Sequence, residues 1–81
     1  MHVTVKLFAR LREIAGASEL TRRVEPGATI GAVWHDLACE FPDLAPYQRS
    51  ISAAVNLDYA RMSAEVRDGD EIAFLPPVSG G

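Results

Sequence analysis

The sequence predicts an α+β domain in which one main helix packs on one sheet. Apolar and polar residues alternate over residues 1–8, which is typical of a strand with one buried face. Apolar residues then recur at helical spacing over residues 30–41, and a short apolar strand, Glu71–Leu75, follows near the end of the chain. Because a helix and a sheet that each carry one apolar face bury those faces together, the pattern predicts two layers around one core.

Length, charge and cysteine count exclude several classes of protein. The chain has 81 residues, of which 48% are hydrophobic, so one folded domain is expected. The formal net charge of -3 disfavours non-specific binding to nucleic acids and anionic membranes. The single cysteine, Cys39, excludes an intrachain disulfide and a multi-cysteine zinc site. With no signal-like start and no apolar run of about 20 residues, a soluble cytoplasmic protein is expected.

The first strand has one apolar and one polar face. The apolar face is predicted to hold Val3, Val5 and Leu7. Phe8 falls on the polar face by parity, so we expect it to be exposed near the end of the strand. Residues 10–16 are predicted to form a short helical turn, which Gly16 can terminate.

A second strand is predicted over residues 19–24, at an edge of the sheet, because an edge position leaves its arginines exposed. Glu-Pro-Gly at residues 25–27 favours a type II turn. Thr29 is then a candidate N-cap of the main helix, and Pro42 ends that helix. The apolar stripe of the helix comprises Ile30, Val33, Trp34, Leu37, Ala38 and Phe41.

The remaining elements are shorter. Residues 43–50 are predicted to be a loop, residues 51–56 a third strand and residues 57–62 a short fourth strand. Asp-Gly-Asp at residues 68–70 indicates a turn before the final strand. The first and last strands are candidates for a parallel central pair.

Few residues suggest catalysis. His2 and His35 lack metal-ligand spacing, so both are interpreted as exposed polar residues. Cys39 lies nine positions after Ile30, about half a turn from the apolar stripe, and is interpreted as a partly buried filler rather than a nucleophile. The absence of a phosphate loop or catalytic triad motif favours a binding or carrier role over an independent enzyme.

Four carboxylates cluster around the turn at residues 68–70. They are Glu65, Asp68, Asp70 and Glu71. They are interpreted as a solvated face. They can also meet a basic partner surface, which would affect the association rate more than the affinity.

The last residues suggest a projecting arm. Pro76 and Pro77 lack a backbone N–H, so sheet pairing should stop there, and tandem prolines favour an extended conformation. Residues 77–81 can span at most about 17 Å, and they end in two unbranched glycines. We therefore divide the chain into a folded domain, residues 1–76, and a functional tail, residues 77–81. The alternative is an inert, frayed terminus.

Three segments together carry a family resemblance. Ala-Val-Asn at 54–56, Asp-Gly-Asp-Glu at 68–71 and Pro-Pro-Val-Ser-Gly-Gly at 76–81 resemble the small subunit of molybdopterin synthase, the MoaD family. The resemblance covers the whole chain, although Gly-Gly alone is shared with ubiquitin-like proteins and with the thiamine sulfur carrier ThiS. It implies a ubiquitin-like β-grasp fold with a mixed sheet of four to five strands on one main helix.

The resemblance also implies a chemistry that belongs to partner proteins. The carboxylate of Gly81 would be adenylated by an ATP-dependent activating enzyme of the MoeB type and converted to a thiocarboxylate. The tail would then enter a large subunit of the MoaE type and transfer its sulfur to cyclic pyranopterin monophosphate. This chain would bind no cofactor itself, and the assembly would contain two small and two large subunits.

The predicted partner-binding residues surround and form the tail. They are Phe8, Leu75, Pro76, Pro77, Val78, Ser79 and Gly80. Two other functions that need the same glycine pair remain open at this point. One is sulfur transfer in thiamine thiazole synthesis, and the other is conjugation to lysines as a protein modifier.

Overall fold

The first and last strands pair in parallel at the centre of a five-stranded mixed sheet. The computed structural model describes residues 1–77. The sheet order is β2-β1-β5-β3-β4. The strands are β1 (His2–Leu7), β2 (Glu19–Arg23), β3 (Ser52–Val55), β4 (Asp58–Ala60) and β5 (Glu71–Leu75). The predicted parallel pair is confirmed, since Val5 lies opposite Ile72 and Leu7 lies opposite Phe74.

Two helices and one 3₁₀ helix complete the fold. They are α1 (Ala9–Ala15), α2 (Ile30–Glu40) and the 3₁₀ helix Pro42–Tyr47. The predicted apolar stripe of α2 forms the second layer of the core. Its fully buried members are Ile30, Val33, Trp34 and Leu37. They pack with alternate residues of β1 and β5, so the predicted two-layer α+β architecture is confirmed.

The start of α2 agrees with the sequence in detail. Gly27 has φ 86° and the N–H of Ala28 donates to the carbonyl of Glu25 at 3.0 Å, which closes the predicted turn. The hydroxyl of Thr29 accepts a hydrogen bond from the N–H of Ala32 at 3.1 Å, as expected of an N-cap. At the other end, α2 stops at Glu40, just before the predicted boundary.

The predicted loop over residues 43–50 is wrong in its first half. Pro42 begins the 3₁₀ helix Pro42–Tyr47, because its fixed φ suits the first helical position. Leu44, which belongs to this 3₁₀ helix, is fully buried. A lone buried leucine gives no periodic signal, which is why the sequence pattern missed it.

The predicted fourth strand is too long. Asn56 and Leu57 both have positive φ, 50° and 76°, and form the two-residue turn between β3 and β4. The strand therefore begins at Asp58 and ends at Ala60. No helix within residues 1–77 is both long and apolar enough to cross a membrane.

Candidate functional site

The surface of the sheet that faces away from α2, called the outer face below, carries apolar side chains near the start of the tail. Phe8 and Leu75 directly follow Leu7 and Phe74, which pair in parallel and point into the core. By strand alternation, both next residues therefore belong to the outer face, at the same end of the sheet. Phe8 is 43% exposed, as predicted from its parity. Leu75 and Pro76 are partly buried.

A row of residues crosses the middle of the outer face. The strand register places Lys6 beside Ala73, Ala73 beside Ala54, and Ala54 beside Tyr59. The two alanines keep this row flat at its centre. Tyr59 is 82% exposed at the far edge. Sequence reasoning did not select Tyr59, although an aromatic residue in a short edge strand could have signalled it.

The backbone around Phe8 turns sharply. Phe8 is extended, with φ -123° and ψ 154°, and it is the N-cap residue of α1. Ala9 then adopts φ 51°, a left-handed conformation that is uncommon for alanine. The carbonyl of Phe8 accepts from the N–H of Leu11 at 3.1 Å, and Leu11 is fully buried. The buried anchor therefore fixes the strained turn that presents Phe8 at the surface.

Two ion pairs involve charged residues that are close to Phe8 in the sequence or in the sheet. Lys6 pairs with Glu71 at 3.3 Å across β1 and β5, and Arg10 pairs with Glu13 at 3.1 Å on α1. The hydrogen bond that Arg10 donates to Glu13, and secondarily its hydrogen bond with Tyr47, raise the pKa of Arg10 above its ordinary value. Because the Arg10–Glu13 pair is well exposed and the Lys6–Glu71 pair is partly exposed, both contribute little to stability.

The acidic turn has a structural role that the sequence did not indicate. The carboxylate of Asp70 accepts from the N–H of Arg67 at 2.8 Å and from the side-chain amide of Asn56 at 3.1 Å. The side chain of Asn56 in turn accepts from the N–H of Glu71 at 3.0 Å. Asp68 accepts from the N–H of His2 at 2.8 Å. These bonds tie the entrance of β5 to β1 and to the β3–β4 turn, so the cluster is more than a solvated face.

The histidine and cysteine residues do not form a recognisable reactive site. His2 and His35 are exposed, as predicted. The prediction that Cys39 is partly buried is wrong: its thiol is exposed, 3.7 Å from Nε2 of His35 on the surface of α2. Half a turn from the buried stripe, this side of the helix faces away from the sheet. Within residues 1–77, no three His, Cys, Asp or Glu side chains are placed to hold a metal ion.

The strand register places Phe8 and Leu75 at the same end of the sheet. Pro76 follows in a partly buried position and Pro77 in an exposed one. The predicted tail residues Val78, Ser79, Gly80 and Gly81 lie outside the described residues. Their roles therefore stay predictions.

A five-stranded mixed sheet with a parallel central pair and a helix packed across one face is the β-grasp fold of ubiquitin-like proteins. Within this class, the chain belongs to the ThiS family, whose model matches residues 5–81. The prediction of a ubiquitin-like β-grasp fold is thereby confirmed.

Similar proteins of known name indicate which members of the family this chain resembles. The chain is 37% identical to the molybdopterin synthase sulfur carrier subunit of Arabidopsis thaliana, over 100% of this chain and 84% of the relative. It is 31% identical to small archaeal modifier protein 3 of Haloferax volcanii, over 100% of both chains. The resemblance to molybdopterin synthase small subunits is confirmed, and these relatives support a sulfur carrier role.

Solved structures of similar proteins agree with the fold. SAMP1 from Haloferax volcanii has a TM-score of 0.85 and 32% identity, with 100% of both chains covered. A putative molybdopterin converting factor subunit 1 from Pyrococcus furiosus has a TM-score of 0.86 and 28% identity, with 96% of this chain and 99% of that chain covered.

Proposed function

We propose that the chain is the sulfur carrier of molybdopterin synthesis and that the carboxylate of Gly81 is its reactive group. The observation that supports this most directly is the parallel register of β1 and β5, which pairs Leu7 with Phe74 and so ends both strands beside each other, just before Phe8 and Leu75. A partner that binds this apolar surface would receive the tail at a defined position. The relatives that carry sulfur for molybdopterin synthase favour this use of the surface.

The chemistry requires activation of a carboxylate, which is a poor electrophile. In the proposed first step, the Gly81 carboxylate attacks the α-phosphorus of ATP in an activating enzyme of the MoeB type and displaces pyrophosphate. A sulfur nucleophile at the level of hydrosulfide then attacks the carbonyl carbon, and the bond to the AMP oxygen breaks. The products are AMP and a C-terminal thiocarboxylate.

The thiocarboxylate would donate its sulfur to cyclic pyranopterin monophosphate in a large subunit of the MoaE type. The sulfur would bond to a carbon of the pterin precursor and displace an oxygen substituent there, and water would then cleave the bond between the sulfur and the Gly81 carbonyl carbon. The carboxylate is thereby restored, and the carrier is recycled. Two such transfers build a dithiolene. The chain contributes the reactive terminus and the docking surface, while ATP and the pterin are bound by its partners.

The tail residues suit this task. A terminal glycine places no Cβ beside the attacked carbon, and Gly80 allows the backbone to pass close to the walls of a partner's channel. Ordering a tail costs roughly 1–2 kcal/mol for each residue that is fixed on binding. Pro76 and Pro77 reduce that cost because their φ angles are already restricted.

Intact mass spectrometry tests the proposal. The chain is incubated with an activating enzyme of the MoeB type, ATP and a sulfur donor, and we expect the mass gain of one oxygen replaced by sulfur. The thiolated chain should then form molybdopterin with a large subunit and cyclic pyranopterin monophosphate. Gly81→Ala should activate more slowly while keeping the same fold. A chain that is thiolated but fails to form molybdopterin with several large subunits would contradict the proposed pathway.

A protein modifier is the second candidate, because small archaeal modifier protein 3 is also a relative. The same chain, expressed in its own cell, would then be recovered in covalent adducts with lysines of other proteins. Adducts that require Gly81 would support this candidate. Thiocarboxylate formation without adducts would support the sulfur carrier.

A further inference from the structure

Strand β2 is an edge of the sheet whose outward backbone groups have no partner strand within residues 1–77. The N–H of Val24 donates to the carbonyl of Met1 at 2.8 Å, and the carbonyl of Ser18 accepts from Leu7 at 3.0 Å. In an antiparallel pair, residues bonded to the neighbour alternate with residues that point away. The residues whose N–H and C=O point away from β1 are Glu19, Thr21 and Arg23.

The charged side chains of β2 are complementary when two copies of the strand run antiparallel. If a second β2 runs antiparallel with Thr21 opposite Thr21, then Glu19 of each copy lies opposite Arg23 of the other. Residues with outward backbone groups meet one another in this register, so the hydrogen-bond pattern is satisfied at all three positions. Within residues 1–77, neither Glu19 nor Arg23 forms an ion pair, and both are exposed.

The surface below this edge has room for the side chains of an added strand. A groove of about 320 Å³ lies between β2 and α2. It is lined by Arg22, Arg23, Val24, Val33, Asp36, Leu37 and Glu40. Arg22 is held on the helix side by Glu40, at 2.6 Å. In the register centred on Thr21, Leu20 of the second copy lies opposite Arg22, over the groove that Val33 and Leu37 line.

We propose that the chain self-associates through β2, forming a two-fold dimer in which one antiparallel sheet continues through both copies. The occupant of the edge is a second copy, because in the register centred on Thr21 each Glu19 of β2 meets Arg23 of another β2. In the sheet, β2 lies two positions from β5, which carries Leu75, whereas Phe8 lines a surface pocket together with Glu19 at the β2 edge. The proposal rests on the strand edge alone and does not require the sulfur carrier role.

Sedimentation equilibrium of the full chain, up to about 1 mM, tests this proposal, since a short strand interface should be weak. E19R and R23E should each raise the dimer dissociation constant at least about tenfold, because like charges then lie opposite one another. An equimolar mixture of E19R and R23E should associate again, because the two arginines of one chain then lie opposite the two glutamates of the other. R49E is the control for changed net charge, since Arg49 is exposed and remote from β2 in the sequence, and it should behave as the original chain.

A further variant tests whether the backbone hydrogen bonds of β2 form the contact. Thr21→Pro removes an N–H that points away from β1, so it should abolish association while the amide NMR spectrum remains that of the folded domain. A chain that stays monomeric at about 1 mM would overturn the proposal. Association that survives Thr21→Pro, or that the mixture of E19R and R23E does not restore, would also overturn it, because the contact would then lie elsewhere.

Discussion

The ring of Phe74 meets the indole of Trp34 edge-on, with ring centroids 5.1 Å apart and an angle of 61° between the planes. Phe74 belongs to the strand that leads into the tail, and Trp34 belongs to the helix that covers the core. Both rings are buried. This contact therefore links the strand that leads into the tail to the helix that covers the core.

Phe74→Ala should destabilise the domain by about 3–5 kcal/mol, because it removes a buried ring and leaves a cavity beside Trp34. Urea unfolding followed by the fluorescence of Trp34, the only tryptophan, measures the change directly. Phe74→Leu retains most of the volume and should cost about 1 kcal/mol. Equal losses for the two variants would show that packing volume does not govern this site.

Asp70→Ala should cost about 1–2 kcal/mol, although Asp70 lies at the surface. The substitution removes the acceptor for the N–H of Arg67 and for the side-chain amide of Asn56. Thermal unfolding of the variant measures the loss. Glu65→Ala is the matched control, since the Glu65 side chain forms no hydrogen bond or ion pair within residues 1–77, and its change should stay within about 0.5 kcal/mol. A similar cost for both variants would contradict a specific role for Asp70.

Sequence patterns predicted the parts of this fold that repeat. The spacing of Val33, Trp34 and Leu37 located α2. The alternation of apolar and polar residues located β1 and predicted that Phe8 is exposed. Patterns failed where a single contact decides the structure. Leu44 is buried alone from a 3₁₀ helix, and the bonds of Asp70 join segments that are distant in the sequence.

The candidate site was only partly predictable for the same reason. Phe8 and Leu75 could be proposed as partner-binding residues because parity and proximity to the tail are visible in the sequence, and the exposure of Phe8 agrees with its parity. Tyr59 was not selected because its place on the outer face depends on the short β3–β4 hairpin, whose turn residues, Asn56 and Leu57, were predicted as parts of the two strands. Alternation gives a face only after the strand boundary is known.

Leu57→Gly should stabilise the domain by about 0.5–1 kcal/mol. Leu57 has φ 76° and is 90% exposed, so it bears the cost of a left-handed conformation without gaining burial. Asn-Gly is also the preferred pair for a two-residue hairpin turn. Urea unfolding should show a higher midpoint with an unchanged slope.

The control for that prediction is the opposite kind of substitution, from glycine to a larger residue, at another position with positive φ. Gly69 has φ 83° with open space around its Cα, so Gly69→Ala introduces the same backbone strain without a steric clash. It should destabilise by about 1 kcal/mol. If Leu57→Gly lowered stability, the entropy of the unfolded glycine would outweigh the relief of strain, and the prediction would be wrong.

Phe8→Asp should weaken binding to a large subunit of the MoaE type by at least about thirtyfold, if the outer face is the docking surface of the proposed carrier. An exposed aromatic residue beside the tail fits the type of side chain that dominates interfaces, and truncating such a residue commonly costs about 2 kcal/mol or more. The stability of the free domain should change much less than it does in Phe74→Ala, because Phe8 is 43% exposed. Isothermal titration calorimetry measures the affinity, and urea unfolding checks the fold.

The matched control is Leu57→Asp, which also places a carboxylate at an exposed apolar position. Leu57 lies in the β3–β4 turn, at the opposite end of β3 from Ser52, the residue that pairs with Leu75. The control should bind as the original chain does. Equal weakening by Phe8→Asp and Leu57→Asp would show that added negative charge, rather than loss of the aromatic contact, governs binding.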